Sequence, residues 1–155
     1  MAAGYATIEN DGYYREPTCI LKITDSSGEK ILSTKQEETA VYKENASRMM
    51  TDILKGVLTN GTGRGLALDG MPCAGKTGTT NENKDGWFVG YTRYYTTSVW
   101  VGYDMPKKLS GLSGASYPGR IWKTFMQKIH EGLEPQEFLS YESGQPKTEE
   151  AVPQE

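Results

Sequence analysis

Several residue types are scarce in this chain, and their scarcity excludes whole classes of protein. Its 155 residues include 2 cysteines and 1 histidine. Cys19 and Cys73 are too few for a disulfide framework and lack metal-ligand spacing, so we expect both to be buried thiols. Because His130 has neither a second histidine nor a cysteine pair beside it, a zinc site is not expected. We expect no cofactor.

Charge of one sign and long apolar runs are also lacking. The 17 Lys and Arg residues are interspersed with 20 Asp and Glu residues, which gives a net charge of −3. Without a basic stripe, the composition gives no reason to expect nucleic acid as a partner. There is no run of about eighteen apolar residues and no signal peptide, so we expect no membrane-spanning or export segment among these residues.

What is present is a short motif that fits two functions. The stretch from Gly70 to Thr77 matches the eight-residue nucleotide-binding pattern, in which backbone N–H groups hold phosphates and a lysine reaches the outer ones. Its lysine, Lys76, also begins a Lys-Thr-Gly triplet, an active-site motif of serine acyl-transfer enzymes that carry Ser-x-x-Lys as well. The neighbouring residues decide between these interpretations.

The sequence after Thr77 argues against nucleotide binding. A phosphate-binding loop must lead into a helix whose N-terminus faces the phosphates. The threonines that follow are β-branched, Gly78 costs about 1 kcal/mol inside a helix, and residues 81–86 are typical of a turn. A P-loop protein that uses Gly70 to Thr77 is kept as an alternative function.

A strand through Lys76 fits the sequence better. Residues 73–79 combine small residues with alternating threonines whose hydroxyls would share one face. Two stronger strands follow, at 87–92 and 97–103, and the loop between them has hairpin length. Glycines in these strands would leave grooves, so that the sheet edge could accept an extended substrate. We therefore predict three successive antiparallel strands in an α+β fold.

Helices are predicted on either side of these strands. Residues 2–9 form the first helix, and residues 19–24 and 30–33 form a hairpin. Two amphipathic helices follow from apolar residues at spacings of three and four, and the Met49-Met50 pair is interpreted as core filling. Their apolar stripes are Ala46, Met49, Met50, Ile53, Leu54, Val57 and Leu58, and Ile121, Trp122, Phe125, Met126 and Ile129. Residues 59–65 are interpreted as a helix exit and connection.

Long stretches of the chain resemble the transpeptidase domain of class A, bifunctional penicillin-binding proteins. They are Met1 to Tyr14, Met50 to Leu58 with Gly61-Thr62-Gly63, Gly75 to Thr92, Val99 to Asp104 and Ser116 to Met126. The resemblance implies a partial β-lactamase/transpeptidase-like fold, with helices packed on the antiparallel sheet. Residues 1–140 would be the C-terminal portion of that domain. Residues 141–155 are polar and are predicted to form a disordered tail.

The resemblance also implies roles for the Lys-Thr-Gly-Thr residues. Lys76 would lie in the active site and bind the carboxylate of the substrate or β-lactam, and the hydroxyls of Thr77 and Thr79 would bind the same carboxylate. The Thr79 backbone N–H would be one of two oxyanion-hole donors, and Gly78 would let the substrate approach closely. The implied partners are D-Ala-D-Ala stem peptides of peptidoglycan and β-lactams.

The nucleophile motifs of this family are not matched. The one Ser-x-x-Lys, Ser27 to Lys30, lies in a stretch interpreted as a hairpin turn, and no Ser-x-Asn occurs. We expect the chain alone to be inactive and the missing N-terminal part of the domain, or another chain, to supply these motifs. A non-catalytic fragment is the other alternative.

The resemblance places the parent protein at the extracytoplasmic face of the bacterial membrane. Apolar surface left without its neighbours is expected to cause association or misfolding.

Overall fold

The computed structural model describes residues 1–143, in which short strands alternate with helices. The helices are α1 (Ala2–Glu9), α2 (Glu44–Thr59) and α3 (Tyr117–Ile129). The strands are β1 (Tyr13–Arg15), β2 (Lys22–Thr24), β3 (Lys30–Ser33), β4 (Glu38–Ala40), β5 (Ala74–Thr79), β6 (Gly86–Tyr91) and β7 (Thr96–Val101). None of the helices in the described residues is long and apolar enough to cross a membrane.

A three-stranded antiparallel sheet, in the order β5-β6-β7, forms the centre of the fold. Its β-branched and aromatic residues alternate between the two faces, which is the pattern that predicts strands here. Lys76 lies opposite Val89, and Thr77 lies opposite Phe88. The strands predicted at 73–79, 87–92 and 97–103 are confirmed to within about two residues at their ends. The α+β class is confirmed as well.

Helix α3 covers one face of this sheet through a tryptophan. The Trp122 ring is fully buried, lies 4.9 Å from the Phe88 ring centroid and donates its indole N–H to the Gly90 carbonyl at 3.1 Å. A Cβ at Gly90 would lie 2.5 Å from Trp122 Cζ2, so this close approach requires glycine. The groove that the sequence predicted above the sheet glycines is therefore filled at Gly90 by a side chain of the protein itself.

Helices α1 and α2 cover the other face of the sheet. The Tyr91 side chain is fully buried there in a cluster with Leu54 and Ala74. Its hydroxyl lies 3.0 Å from Thr51 Oγ1, which satisfies both buried hydroxyls. The periodicity that predicted α2 is thus confirmed, and α2 lies directly against β5.

Two arginines tie the α1 region to its neighbours. Arg48 on α2 donates to both carboxylate oxygens of Asp11, each at 2.9 Å. Arg93, in the turn between β6 and β7, donates to Glu9 at 2.8 Å. Partial burial raises the pKa of the Glu9 carboxyl, and the nearby Arg93 guanidinium opposes that shift. Both pairs are part-buried, so they fix the first helix more firmly than fully exposed pairs would.

Parts of both predicted apolar stripes face outward, which corrects the sequence analysis. On α2, Met49 and Met50 are 46% and 42% exposed, so the interpretation of this pair as core filling is wrong. Ile53 is exposed as well, as are Ile121 and Phe125 on α3. Each apolar stripe is wider than the helix face that packs against the sheet. Periodicity in the sequence predicts an amphipathic helix, but it does not predict which neighbouring elements cover its apolar side.

The segment between α1 and α2 contains two small antiparallel pairs. The predicted hairpin is present as β2 and β3, joined through residues 25–29. The pairing of β1 with β4 was not predicted, because strands of three residues carry little periodic signal. Cys19 is exposed in this segment, so the prediction of a buried thiol is wrong for it, whereas Cys73 is buried as predicted.

The beginning of the predicted tail lies along α2. The Asn45 side chain accepts from the Glu142 backbone N–H at 2.7 Å and donates to the Glu142 carbonyl at 3.1 Å. The disordered tail predicted for 141–155 lies, from residue 144 onward, outside the described residues.

The contact between Gly90 and Trp122 generates the first prediction. We expect Gly90→Ala to lower the free energy of unfolding by about 1–3 kcal/mol, because the new methyl group overlaps the fixed indole ring. Urea denaturation followed by tryptophan fluorescence measures this.

Gly56→Ala is the matched control, because Gly56 lies inside α2 and a Cβ there meets nothing within 4 Å. We expect it to raise stability by about 0.5–1 kcal/mol through helix propensity. Equal stability of the Gly90→Ala variant and the wild type would contradict the packing described here.

Candidate active site

The Lys76 side chain projects from an edge strand toward α1 and α2. Residues directly opposite on antiparallel strands share a face, so Lys76 lies on the face of Val89, which is also the face of Tyr91 two residues further along β6. Strand β5 pairs with β6 on one side only, which leaves its other edge without a strand partner among the described residues. Lys76 is exposed, and its ammonium donates to the Thr77 carbonyl at 2.8 Å.

A groove of about 690 Å³ between α1 and α2 leads to this lysine. Its walls are mainly apolar, and among the described residues that line it Lys76 has the one charged side chain. The other lining residues are Met1, Gly4, Tyr5, Ile8, Tyr42, Ala46, Ser47, Met50 and Leu54. A lysine ammonium among apolar walls is suited to hold an anionic group beside an apolar partner.

Thr77 and Thr79 lie on the opposite face of β5. Thr77 Oγ1 is 2.6 Å from Thr62 Oγ1, and Thr79 Oγ1 accepts from the Gly114 backbone N–H at 3.0 Å. The two threonines share a face, as the alternation predicts, but Lys76 points to the other one. The residues that the sequence singled out are therefore adjacent on one strand, and their functional groups can converge only around its free edge.

The nucleotide-binding alternative requires a helix that the structure does not have. Lys76 and Thr77 both lie inside β5, and the chain continues into a short 3-10 turn at Asn81–Asn83. Glu82 has a φ of 62° in that turn, which is not a helical conformation. A P-loop at Gly70 to Thr77 is therefore incompatible with this geometry.

Ser27 lies in an exposed turn, as the sequence predicts. Its hydroxyl donates to Asp25 Oδ1 at 2.7 Å, and the same oxygen accepts from the Ser27 and Glu29 backbone N–H groups. The bond from the Ser27 hydroxyl is the main cause that lowers the pKa of Asp25. Lys30 belongs to β3 and not to a helical turn with Ser27. This Ser-x-x-Lys match lacks the helical geometry that activates a serine nucleophile.

Thr62 lies beside Thr77, and the sequence analysis did not include it among the candidate site residues. It belongs to the glycine-rich stretch 59–65, which is indeed a helix exit, but that stretch also brings a hydroxyl to Thr77. The contact joins residues fifteen positions apart. The Gly61-Thr62-Gly63 spacing was the available signal, since paired glycines indicate a close backbone approach.

A family model described as the penicillin-binding protein transpeptidase domain matches residues 1–131. The chain belongs to the penicillin-binding transpeptidase family. It is 39% identical over 134 residues to penicillin-binding protein 1A of Clostridium acetobutylicum, a match that spans 86% of this chain and 16% of the relative. It is 38% identical over 156 residues to penicillin-binding protein 1A of Streptococcus pneumoniae, spanning 89% and 21%.

Solved structures agree with this assignment to the transpeptidase domain. Penicillin-binding protein 1A from Haemophilus influenzae matches with a TM-score of 0.77 and 22% identity, over 89% of this chain and 27% of that one. Penicillin-binding protein A from M. tuberculosis, solved as an imipenem acyl-enzyme complex, matches with a TM-score of 0.66 and 20% identity, over 81% and 29%. At these identities the likeness shows the fold alone. The chain spans 16% to 29% of the length of these four proteins.

The buried tyrosine beneath the groove generates a pH prediction for this transpeptidase-domain chain. Burial raises the pKa of Tyr91 to about 12, from about 10 when unfolded. Because the folded state holds this proton more tightly, the stabilisation is fully present below pH 10 and is lost between about pH 10 and pH 12. Two pKa units correspond to about 3 kcal/mol.

Urea denaturation at several alkaline pH values measures this loss. In Tyr91→Phe the free energy of unfolding should fall by about 3 kcal/mol less between about pH 10 and pH 12 than in the wild type. The variant also loses the hydrogen bond to Thr51, but it does so at every pH. Parallel curves for the variant and the wild type would contradict the assignment of the titration to Tyr91.

Proposed function

We propose that this chain provides the carboxylate-binding and oxyanion side of a peptidoglycan D,D-transpeptidase site. The observation that carries the proposal is the position of Lys76-Thr77-Gly78-Thr79 on β5, an edge strand of the sheet in the described residues, in a chain that belongs to the penicillin-binding transpeptidase family. An edge strand with a nearby cation can bind an extended peptide that ends in a carboxylate.

Lys76 is proposed as the electrostatic partner of that carboxylate. Its ammonium is exposed, and among the described residues its hydrogen-bond partner is a neutral backbone carbonyl rather than an acidic group. An incoming carboxylate would therefore replace a neutral contact by a charge-assisted one. The hydroxyls of Thr77 and Thr79 lie on the other side of the strand and would bind the same carboxylate from there.

The Thr79 backbone N–H is proposed as an oxyanion donor. The Thr77 carbonyl accepts a hydrogen bond from the Lys76 ammonium and not from a neighbouring strand. This is consistent with a Thr77 carbonyl that points to the edge of β5 opposite β6. Residues two apart on an antiparallel strand direct their backbone groups to the same edge, so the Thr79 N–H would point there too. A donor of this kind, fixed before the reaction, is worth about 3 kcal/mol in the transition state. Gly78, between Thr77 and Thr79, has no side chain that would block the substrate from this edge of the strand.

The serine nucleophile is proposed to come from polypeptide outside these residues. In the complete site the serine would attack the carbonyl of a D-Ala-D-Ala stem peptide, release the terminal D-Ala, and pass the acyl group to a neighbouring amine. β-Lactams would acylate the same serine. The described residues hold no Ser-x-x-Lys in a helical geometry, and the chain has no Ser-x-Asn.

The groove between α1 and α2 is the proposed contact for that polypeptide. It leads to Lys76, and Met50 and Ile53 on α2 add exposed apolar surface near it. About three quarters of the Haemophilus influenzae chain lies outside the match, so ample protein is available in such relatives to cover this surface. For the parent protein we propose the extracytoplasmic face of the bacterial membrane, where peptidoglycan is assembled.

Penicillin acylation tests the assignment of the nucleophile. Intact-mass measurement of the chain after incubation with excess benzylpenicillin should show no penicilloyl adduct, because Ser27 lies in an exposed turn and Lys30 belongs to β3 instead of a helical turn with Ser27. A whole penicillin-binding protein 1A serves as the positive control. A stoichiometric adduct on Ser27 would show that the chain is a complete acyl-enzyme.

Carboxylate binding tests the role of Lys76 without a nucleophile. In an NMR titration with N-acetyl-D-Ala-D-Ala we expect weak binding, with shifts at the Lys76, Thr77 and Thr79 amides. Lys76→Ala should weaken it about tenfold, the usual effect of removing a hydrogen bond to a charged group. Lys22→Ala is the control, because Lys22 is exposed on the separate β2–β3 hairpin. Equal weakening by both changes, or no shift in β5, would count against the proposed site.

A further inference from the structure

We propose that Thr62 is a positioning residue that orients the hydroxyl of Thr77 toward the substrate carboxylate. The inference rests on the proposed function and assigns a role to the glycine-rich stretch 59–65. The deciding observation is the 2.6 Å contact between Thr62 Oγ1 and Thr77 Oγ1. This is a short hydrogen bond between two hydroxyls.

Proton counting gives this bond a direction when a carboxylate is present. Each hydroxyl has one proton to donate and two lone pairs that accept. A carboxylate accepts only, so Thr77 must give it the Thr77 proton. Thr62 is then the donor to Thr77 Oγ1. Donation from Thr62 polarises the Thr77 hydroxyl and strengthens the bond that Thr77 makes to the carboxylate.

The backbone around Thr62 is fixed by close packing against the end of α2. The Gly61 N–H donates to the Gly56 carbonyl at 3.1 Å, and the Gly63 N–H donates to the Val57 carbonyl at 3.0 Å. A Cβ at Gly61 would lie 2.8 Å from Val57 Cα, so only glycine permits this approach. The Thr62 side chain is thus held on a turn anchored at both flanks, although it is itself exposed.

The partner strand is fixed independently of this turn. Strand β5 is paired along all its residues with β6, and β6 is held by Trp122 through the Gly90 carbonyl. Two separately anchored backbones therefore bring the two hydroxyls together. Thr77 alone could rotate about its Cα–Cβ bond, and the bond from Thr62 selects one rotamer.

Side-chain couplings of Thr77 in the free chain test the positioning directly. We expect a single Thr77 χ1 rotamer in the wild type and rotamer averaging in Thr62→Val, which keeps the side-chain shape but removes the hydroxyl. Thr62→Ser should restore the single rotamer. Thr34→Val is the matched control, because the exposed Thr34 hydroxyl donates to the Ile20 carbonyl beside the separate β2–β3 hairpin.

The titration with N-acetyl-D-Ala-D-Ala tests the consequence for binding. We expect Thr62→Val to lose about 3- to 10-fold in affinity, the usual effect of one neutral hydrogen bond, while Thr62→Ser and Thr34→Val stay close to the wild type. If Thr62→Val keeps one Thr77 rotamer and the wild-type affinity, the inference is wrong and the proposed function stands. If the wild type binds no peptide, the proposed function fails and this inference fails with it.

Discussion

The fit of the Trp122 ring onto Gly90 is the constraint on which the rest of the structure depends. The ring contacts Phe88, binds the Gly90 carbonyl and leaves no room for a Cβ, so α3 fixes β6 in both position and direction. Strand β5 is paired residue by residue with β6. The location of Lys76 is therefore determined by packing on the face of the sheet that Lys76 does not occupy.

The face of the sheet that α1 and α2 cover positions the turn that carries Thr62. Tyr91 and Leu54 hold α2 against β5, and the last turn of α2 leads into the turn that carries Thr62. The Lys76 ammonium and the hydroxyls of Thr77 and Thr79 thus lie on opposite faces of β5. One buried cluster, around Trp122, packs on the threonine face, and the other, around Tyr91, packs on the lysine face. Groups that are held in place before the substrate arrives need no reorganisation in the transition state, which is the physical basis of preorganised catalysis.

The sequence predicts the sheet well because its information is local. Alternating aromatic and β-branched residues mark β6 and β7, and the periodicity of apolar residues marks α2 and α3. What it does not predict depends on long-range partners. Met49 and Met50 belong to an apolar stripe, yet no neighbour covers them in the described residues. The groove expected above Gly90 holds Trp122, and the Thr62 contact joins two segments whose proximity only the packing of α2 on β5 creates.

The contacts that build the site and the surfaces that would complete it are separate. Strand β5, which carries Lys76 to Thr79, is held by residues that are fully buried within this chain, whereas the groove beside it presents half-exposed apolar side chains such as Met50. Burial of a methionine of this kind contributes about 1.5–3 kcal/mol at most, so several together would supply a substantial docking energy. In the proposed function, apolar contact would therefore drive the docking of the polypeptide that carries the serine. The binding energy of Lys76 and Thr79 would then remain available for the substrate and its transition state.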